Sequence, residues 1–197
     1  MIRRVFFSFH HKRDVWRVSQ VRNCGLGRDR EAVGFWDAAE WEKLKLQGER
    51  AVRQWIDDNF VSTSVTSVLI GFETWQRPWV RYEIIKSLEQ GKGLLGIHIH
   101  NIKNSLGQPD MQGSNPFDQI YFRRSEDGRS AYIWEWIGSQ WVQYSPITTI
   151  PASSLRIVGS AKEGKLSQFV SCYDWINNDG RNNVGTWVEN AAALVGR

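Results

Sequence analysis

Short apolar runs alternate with helix-like segments through the first half of this sequence. The runs at residues 4–9, 65–70 and 94–99 each have the length of one buried strand. Segments 48–60 and 78–90 instead carry apolar residues at helical spacing. Strands that alternate with helices build βαβ units around a mainly parallel sheet. The pattern therefore predicts an α/β fold with helices flanking a central sheet.

The segment between the first and second runs is predicted to hold a polar break, a helix and a short strand. Residues 10–14 are polar and are assigned to the break, while the apolar segment 32–36 is assigned to the strand. Asp37 follows that strand, and its spacing to Glu40 is that of a helix N-cap and its reciprocal partner. The inner face of the helix is assigned to four apolar residues: Val15, Trp16, Val18 and Val21.

The pattern changes after residue 100. Residues 101–118 are rich in Asn, Gly, Gln and Pro and are predicted to form a loop. Antiparallel strands are predicted at 121–122, 131–137 and 141–144, with Gly138-Ser139 as the turn between the last two.

These strands are interpreted as part of a larger organisation. We expect one TIR-like, flavodoxin-like domain over residues 1–197, with an insertion at about 101–150 that adds an antiparallel hairpin. A C-terminal helix at about 183–195 is predicted from its clean helical period.

Eleven tryptophans are many for a chain of 197 residues. An aromatic ring buries a large apolar area, so most of them are expected to fill the core. The remainder are available as flat walls for a planar ligand.

Charge, targeting signals and cysteine content narrow the class of protein, which is expected to be soluble and cytoplasmic. Its 25 basic and 21 acidic residues give a net charge of +4, without long runs of one sign, so no nucleic-acid partner is expected. The start of the chain has no signal-peptide pattern, and no apolar stretch is long enough to span a membrane. Cys24 and Cys172 match no zinc spacing and are expected to be free thiols.

Trp79 and Glu83 form the strongest candidate for a functional pair. They lie four residues apart, which places them on one face of the predicted helix 78–90. Because Ile84, Ile85 and Leu88 supply the core stripe, the pair is expected near the edge of that stripe. Ligand sites of open α/β sheets lie outside the carboxyl ends of the strands, which is where this helix begins. Ordinary amphipathic packing also explains a Trp–Glu pair of this spacing.

A resemblance to a known family assigns a function to this pair. Several separated segments, in order from about residue 3 to the C-terminal helix, resemble TIR-domain NADases and most specifically the TIR proteins of the bacterial Thoeris anti-phage system. The insertion departs from animal TIR domains but fits the Thoeris branch. The segments are Arg4-Val5-Phe6-Phe7-Ser8-Phe9-His10, Thr66 to Gly71, Trp79-Val80-Arg81-Tyr82-Glu83-Ile84, Asn115-Pro116-Phe117-Asp118 and Tyr173-Asp174-Trp175.

The resemblance implies an enzyme that cleaves NAD and makes a cyclic ADP-ribose isomer. That product would activate a partner effector of the ThsA type, and self-assembly on activation is common among TIR enzymes. By position in the motif, Glu83 is the catalytic carboxylate and Trp79 belongs to the pocket. NAD is the substrate, and no separate cofactor is expected.

Other candidate residues rest on position alone. Ser8, Phe9 and His10 end the first strand and are expected to line the pocket, although strand-end packing explains them equally well. Asp37 is a candidate ligand contact, with a helix cap as the favoured role. Arg81 is expected to pair with a surface acid rather than with a phosphate. His98 and His100 alternate on a strand, but nothing nearby in the sequence completes a metal site.

Two other classes of protein remain as alternatives. A TIR adaptor would act through protein–protein contact, but it has no need of a carboxylate at Glu83. A CheY-like or flavodoxin-like binding module lacks support, because the chain has neither an acidic cluster near the first strand nor a glycine-rich phosphate loop.

Overall fold

The computed structural model describes residues 3–25, 30–33 and 38–197. The main helices and strands are β1 (Arg3–Ser8), α1 (His11–Gly25), β2 (Arg30–Val33), α2 (Ala38–Leu46), α3 (Glu49–Phe60), β3 (Val65–Ile70), α4 (Pro78–Glu89), β4 (Gly93–His98), β5 (Ile120–Arg124), β6 (Ser130–Ile137), β7 (Gln140–Gln143), β8 (Thr149–Pro151), β9 (Glu163–Lys165), β10 (Cys172–Asp174) and α5 (Gly180–Ala193).

A five-stranded parallel sheet forms the centre of the molecule, in the order β10-β4-β3-β1-β2. This order is that of the flavodoxin-like doubly wound sheet, with β10 as its fifth strand. The predicted α/β class is confirmed, and the three predicted central strands match β1, β3 and β4 within one residue. β10 was not predicted, because three residues are too short to show a period.

Alternating side chains of the parallel sheet pack into two hydrophobic clusters, one on each face. Phe6 and Val68 contribute to the cluster that contains helices α3 and α4. Val5 and Phe7 point the other way, into the cluster that contains α1 and α5. This burial on both faces explains why the strands are continuously apolar rather than alternating.

A second, antiparallel sheet lies between β4 and β10 in the chain, in the order β7-β6-β5-β9, with β8 paired to β6. Gly138 and Ser139 make the predicted turn between β6 and β7, and both have positive φ, as tight hairpins require. Phe122 and Ile133 pack into the same cluster as α4. The sheet extends to Lys165, beyond the end predicted near residue 150.

Helix α1 differs from its prediction in two ways. It begins at His11, so residues 11–14 are its first turn rather than a polar break. Trp16 is 53% exposed, whereas Asp14 and Arg17 are buried, with 3.8 Å between the guanidinium and the carboxylate. The inner face of the helix therefore includes a buried ion pair, which an apolar pattern cannot reveal.

The tryptophans also depart from expectation. Among the side chains that the structure describes, only Trp41, Trp175 and Trp187 are buried, so most tryptophans do not fill the core. Trp136 and Trp141 instead pair on the second sheet, with ring centroids 5.2 Å apart. Within the described residues, no helix is long and apolar enough to cross a bilayer.

Candidate active site

Helix α4 carries Glu83 into the interior. Pro78 occupies its first turn, where the missing N–H has no helical partner to lose. The buried side of the helix includes Val80, Ile84 and Leu88, and Glu83 lies on that side with 3% of its surface exposed. The carboxyl group therefore lies within the core stripe. The prediction that it lies at the edge of the stripe is wrong.

Ser8, the last residue of β1, is the hydrogen-bond partner of Glu83. Its hydroxyl is fully buried and donates to Oε2 of Glu83 at 2.5 Å. Burial raises the pKa of Glu83 to about 8, and the hydrogen bond from Ser8 opposes that rise. The site thus holds a carboxyl group that ionises easily only when something nearby favours its negative charge.

A cleft of about 210 Å³ opens beside Glu83, just beyond the end of β1. Phe9, His10, Trp79 and Glu83 all line it, so the structure brings these predicted residues together, with Ser8 directly behind Glu83. The other lining residues extend these two segments and add α2: His11, Lys12, Trp41, Glu42, Lys45, Arg77, Pro78 and Val80.

Stacked rings form one wall of this cleft. The imidazole of His11 lies 4.4 Å from the Trp41 ring, nearly parallel to it, and 4.1 Å from the Phe9 ring. All three side chains are buried. Such a wall offers flat apolar contact and excludes water from the neighbouring carboxyl group.

Charges at the cleft are unevenly distributed. Lys12, Lys45 and Arg77 line it together with one acid, Glu42. Glu42 pairs with Lys45 at 2.7 Å, and Arg77 pairs with Glu73. Burial, followed by the charge of Arg77, lowers the pKa of His10 to about 4, so its imidazole is neutral at neutral pH. The cleft therefore combines a buried acid with cationic groups that suit phosphate oxygens.

Comparison with known proteins shows the family of this chain. A family model described as Thoeris protein ThsB, TIR-like domain, matches residues 6–104. This chain belongs to the ThsB family. It is also 39% identical over 193 residues to a Bacillus cereus (strain MSX-D12) protein that is named for a cyclic ADP-D-ribose synthase activity, ThsB1. That match covers 95% of this chain and 100% of the relative.

Not every candidate residue of this ThsB-family chain reaches the cleft. Asp37 lies outside the described residues. Arg81 is paired with an acid, Glu135 of the second sheet. The predicted surface location is wrong, because both side chains are mostly buried between α4 and that sheet. His98 and His100 lie near Asp174 at a different part of the sheet edge. In the described part of the chain, no group of His, Cys, Asp or Glu is arranged to hold a metal.

Trp41, Lys45 and Arg77 were missed as site residues. Trp41 and Lys45 belong to α2, which is far from Glu83 in sequence and has a weak apolar pattern. Arg77 immediately precedes Pro78, which begins α4. A cation just before the helix that carries Glu83 could have been predicted from the sequence as a site residue. Residues of α2 and α4 line the same cleft because of the way the ThsB-family chain winds around its sheet, and the local sequence does not show this.

Proposed function

We propose that this chain cleaves the nicotinamide–ribose bond of NAD and makes a cyclic ADP-ribose isomer as an anti-phage second messenger. One observation carries the proposal: a buried carboxyl group, Glu83, lies in an aromatic and cationic cleft at the carboxyl end of β1. Membership of the ThsB family and the 39% identical relative support it. In this proposal Glu83 is the catalytic residue.

The chemistry requires one carboxylate rather than two. Nicotinamide leaves as a neutral base, so it needs no proton from an acid. The ribose that remains has oxocarbenium-like positive charge, as in glycoside cleavage. A carboxylate that is already fixed beside the reacting carbon stabilises this charge without reorganisation.

The raised pKa of Glu83 fits a substrate that brings its own positive charge. Without a partner, burial favours the neutral acid near pH 7. The nicotinamide ring of NAD is a cation, and an opposite charge nearby favours the ionised carboxylate. Substrate binding therefore generates the charge that the reaction uses, while the Ser8 hydroxyl holds Oε2 in place.

The walls of the cleft favour cyclisation over hydrolysis. The Phe9, His11 and Trp41 rings exclude water, which would otherwise capture the activated ribose. The cations Lys12, Lys45 and Arg77 are placed to hold the pyrophosphate. An internal nucleophile of the folded dinucleotide then competes well with solvent.

The wider role follows from the same family. We propose that the cyclic product activates a ThsA-type effector, and that the chain acts in the cytoplasm with NAD as substrate and no separate cofactor. Self-assembly on activation would explain how a cell tolerates an enzyme that consumes NAD. We also propose that the chain is a single TIR-like domain, because the second sheet and α4 share one hydrophobic cluster.

The direct test is incubation with NAD, followed by mass spectrometry of the products. Protein isolated from phage-challenged and unchallenged cells is compared over a range of protein concentrations. We expect nicotinamide and a cyclic ADP-ribose isomer, with turnover rising on challenge or with concentration. A TIR adaptor would leave NAD intact in every sample, and full turnover by a dilute monomer would contradict activation by self-assembly.

A further inference from the structure

A second cleft lies on the other side of Trp79. It has a volume of about 380 Å³ and lies between α3, α4 and the second sheet. Pro78 and Trp79 line both this cleft and the cleft that contains Glu83. The two cavities are therefore neighbours that share one wall, which is the first turn of α4.

The cleft beside Glu83 is too small for a whole dinucleotide. Its volume is about 210 Å³, whereas sites for drug-sized ligands occupy roughly 300–1,000 Å³. NAD contains two nucleosides and a pyrophosphate and is larger than most such ligands. Part of the substrate must lie elsewhere, and the cleft across Trp79 adjoins this one.

The two clefts differ in charge. In the second cleft each cation has an acidic partner, because Arg53 pairs with Glu49 at 3.2 Å and Arg81 pairs with Glu135. The lining of the cleft beside Glu83 instead has an excess of cations: Lys12, Lys45 and Arg77 against Glu42, which pairs with Lys45, while the partner of Arg77, Glu73, lies outside the lining. A balanced cleft suits an uncharged base, and a cationic cleft suits the pyrophosphate.

The lining of the second cleft is partly aromatic and can contact a planar base. The Trp79 and Tyr82 rings meet edge to face at 6.0 Å, and the Arg53 guanidinium lies 5.7 Å above Tyr82. Tyr144 lines the cleft, and burial followed by the charge of Glu135 raises its pKa, so its phenol remains a hydrogen-bond donor. Together with the Glu135 carboxylate, it offers a donor and an acceptor to the edge of a base.

We propose that the adenine base of the dinucleotide binds in this second cleft, with its ribose and the pyrophosphate crossing the N-terminus of α4 at Pro78 and Trp79, beside the reacting ribose. The proposal rests on the proposed function. A helix N-terminus favours a phosphate group, and α4 is twelve residues long. The second sheet thereby becomes the part of the molecule that recognises the adenine base.

The test is to block the second cleft without touching the first. Ile137 lines the second cleft and is 47% exposed, so Ile137→Trp fills space without altering the core. Gln143 lies on the same hairpin, in register with Trp134, on the opposite face from Ile137. Gln143→Trp is therefore the matched control.

The first readout is equilibrium binding of AMP, measured by calorimetry, which does not depend on turnover. We expect wild type, Glu83→Gln and Gln143→Trp to bind AMP alike, and Ile137→Trp to bind at least about tenfold more weakly. Absence of AMP binding to wild type, or equal binding to Ile137→Trp, overturns the second cleft as the adenine site.

The second readout separates the two proposals. NAD and nicotinamide mononucleotide share the reacting bond, but only NAD has the adenosine half. In Ile137→Trp we expect KM for NAD to rise about tenfold, with kcat/KM for nicotinamide mononucleotide unchanged. Equal losses on both substrates, or none, overturn the adenine site. No nicotinamide release from either substrate by activated wild type overturns the proposed function, whatever the AMP result.

Discussion

Glu83 and Asp174 are two carboxyl groups at different places along the carboxyl edge of the same parallel sheet. Asp174 accepts hydrogen bonds from the side chain of Asn101 and from the backbone amides of Ile176 and Asn177, which follow it. Glu83 accepts a hydrogen bond from Ser8 and is buried beside a cleft. Both carboxyl groups therefore lie at the same edge of the sheet, but their hydrogen-bond partners and burial differ.

The difference indicates two uses of the same chemical group. A carboxylate whose oxygens are saturated by local donors fixes the conformation of a loop. A carboxyl group that is desolvated and has few donors is unstable as an anion until a ligand supplies positive charge. Variants of the two residues should therefore fail in opposite ways.

The largest expected effect is on turnover in Glu83→Gln. The substitution keeps the shape but removes the charge that stabilises the ribose, so kcat should fall roughly a hundred- to a thousandfold, or ~3–4 kcal/mol. Glu89→Gln changes a carboxylate on the same helix that pairs with Lys86, and it should keep full activity. The measurement is nicotinamide release by activated protein. Equal rates in Glu83→Gln and wild type would falsify the mechanism.

The pH profile tests the ionisation of Glu83. The reaction needs the carboxylate, and burial raises its pKa to about 8. Below that pH the ionised fraction falls, so kcat/KM should rise about tenfold per unit toward pH 8 and then level off. A profile that is flat between pH 5.5 and 8, in buffers of constant ionic strength, contradicts a protonated acid in the free protein.

For the free energy of unfolding, we expect the larger loss from substitution of Asp174 and the smaller from substitution of Glu83. Asp174→Ala removes three hydrogen bonds to a carboxylate and should lower the free energy of unfolding by about 1–3 kcal/mol. Glu83 has a folded-state pKa above its ordinary 4.5, so its contribution to stability is present below that value and is lost as pH rises toward 8. The melting temperature of Glu83→Gln should therefore gain on wild type as pH rises.

Urea unfolding of Asp174→Ala, and melting curves of Glu83→Gln at several pH values, provide these measurements. An Asp174→Ala variant as stable as wild type would show that the loop does not depend on its carboxylate. A melting temperature of Glu83→Gln that falls relative to wild type as pH rises would contradict the raised pKa of Glu83.

The smallest effect is expected from Ser8→Ala. The Ser8 hydrogen bond lowers the pKa of Glu83, so its loss should move the rising limb of the pH profile to higher pH. Turnover at pH 7 should fall by several fold, consistent with a hydrogen bond to a charged group, and the two proteins should converge above pH 9. A uniform loss at every pH would instead mean that the variant disturbs packing.

Strong periodicity made the parallel half of the fold predictable. Segments 65–70 and 78–90 are long and regular enough for β3 and α4 to be located almost to the residue. β8, β9 and β10 have three residues each and are defined by their pairing partners, which the local sequence does not encode. Tertiary context, rather than propensity, determines such strands.

The site was predictable only where it followed a motif. Glu83, Trp79 and the end of β1 were found because they belong to contiguous segments. The burial of Glu83 was not predicted. Charged residues are seldom fully buried, so helical spacing alone places a carboxylate at the edge of an apolar stripe. Trp41 was not found either, because its contact with His11 depends on how α1 and α2 pack.

The late position of β10 has a consequence for synthesis of the chain. β4 pairs with β10 along the edge that β3 leaves open, and residues 99–171 separate the two strands. During translation, that edge of β4 has unpaired backbone groups until residues 172–174 leave the ribosome. An open edge of a growing sheet can pair with other chains, and contacts between distant segments form slowly. Growth conditions that slow translation of the second sheet should therefore increase aggregation of the nascent chain.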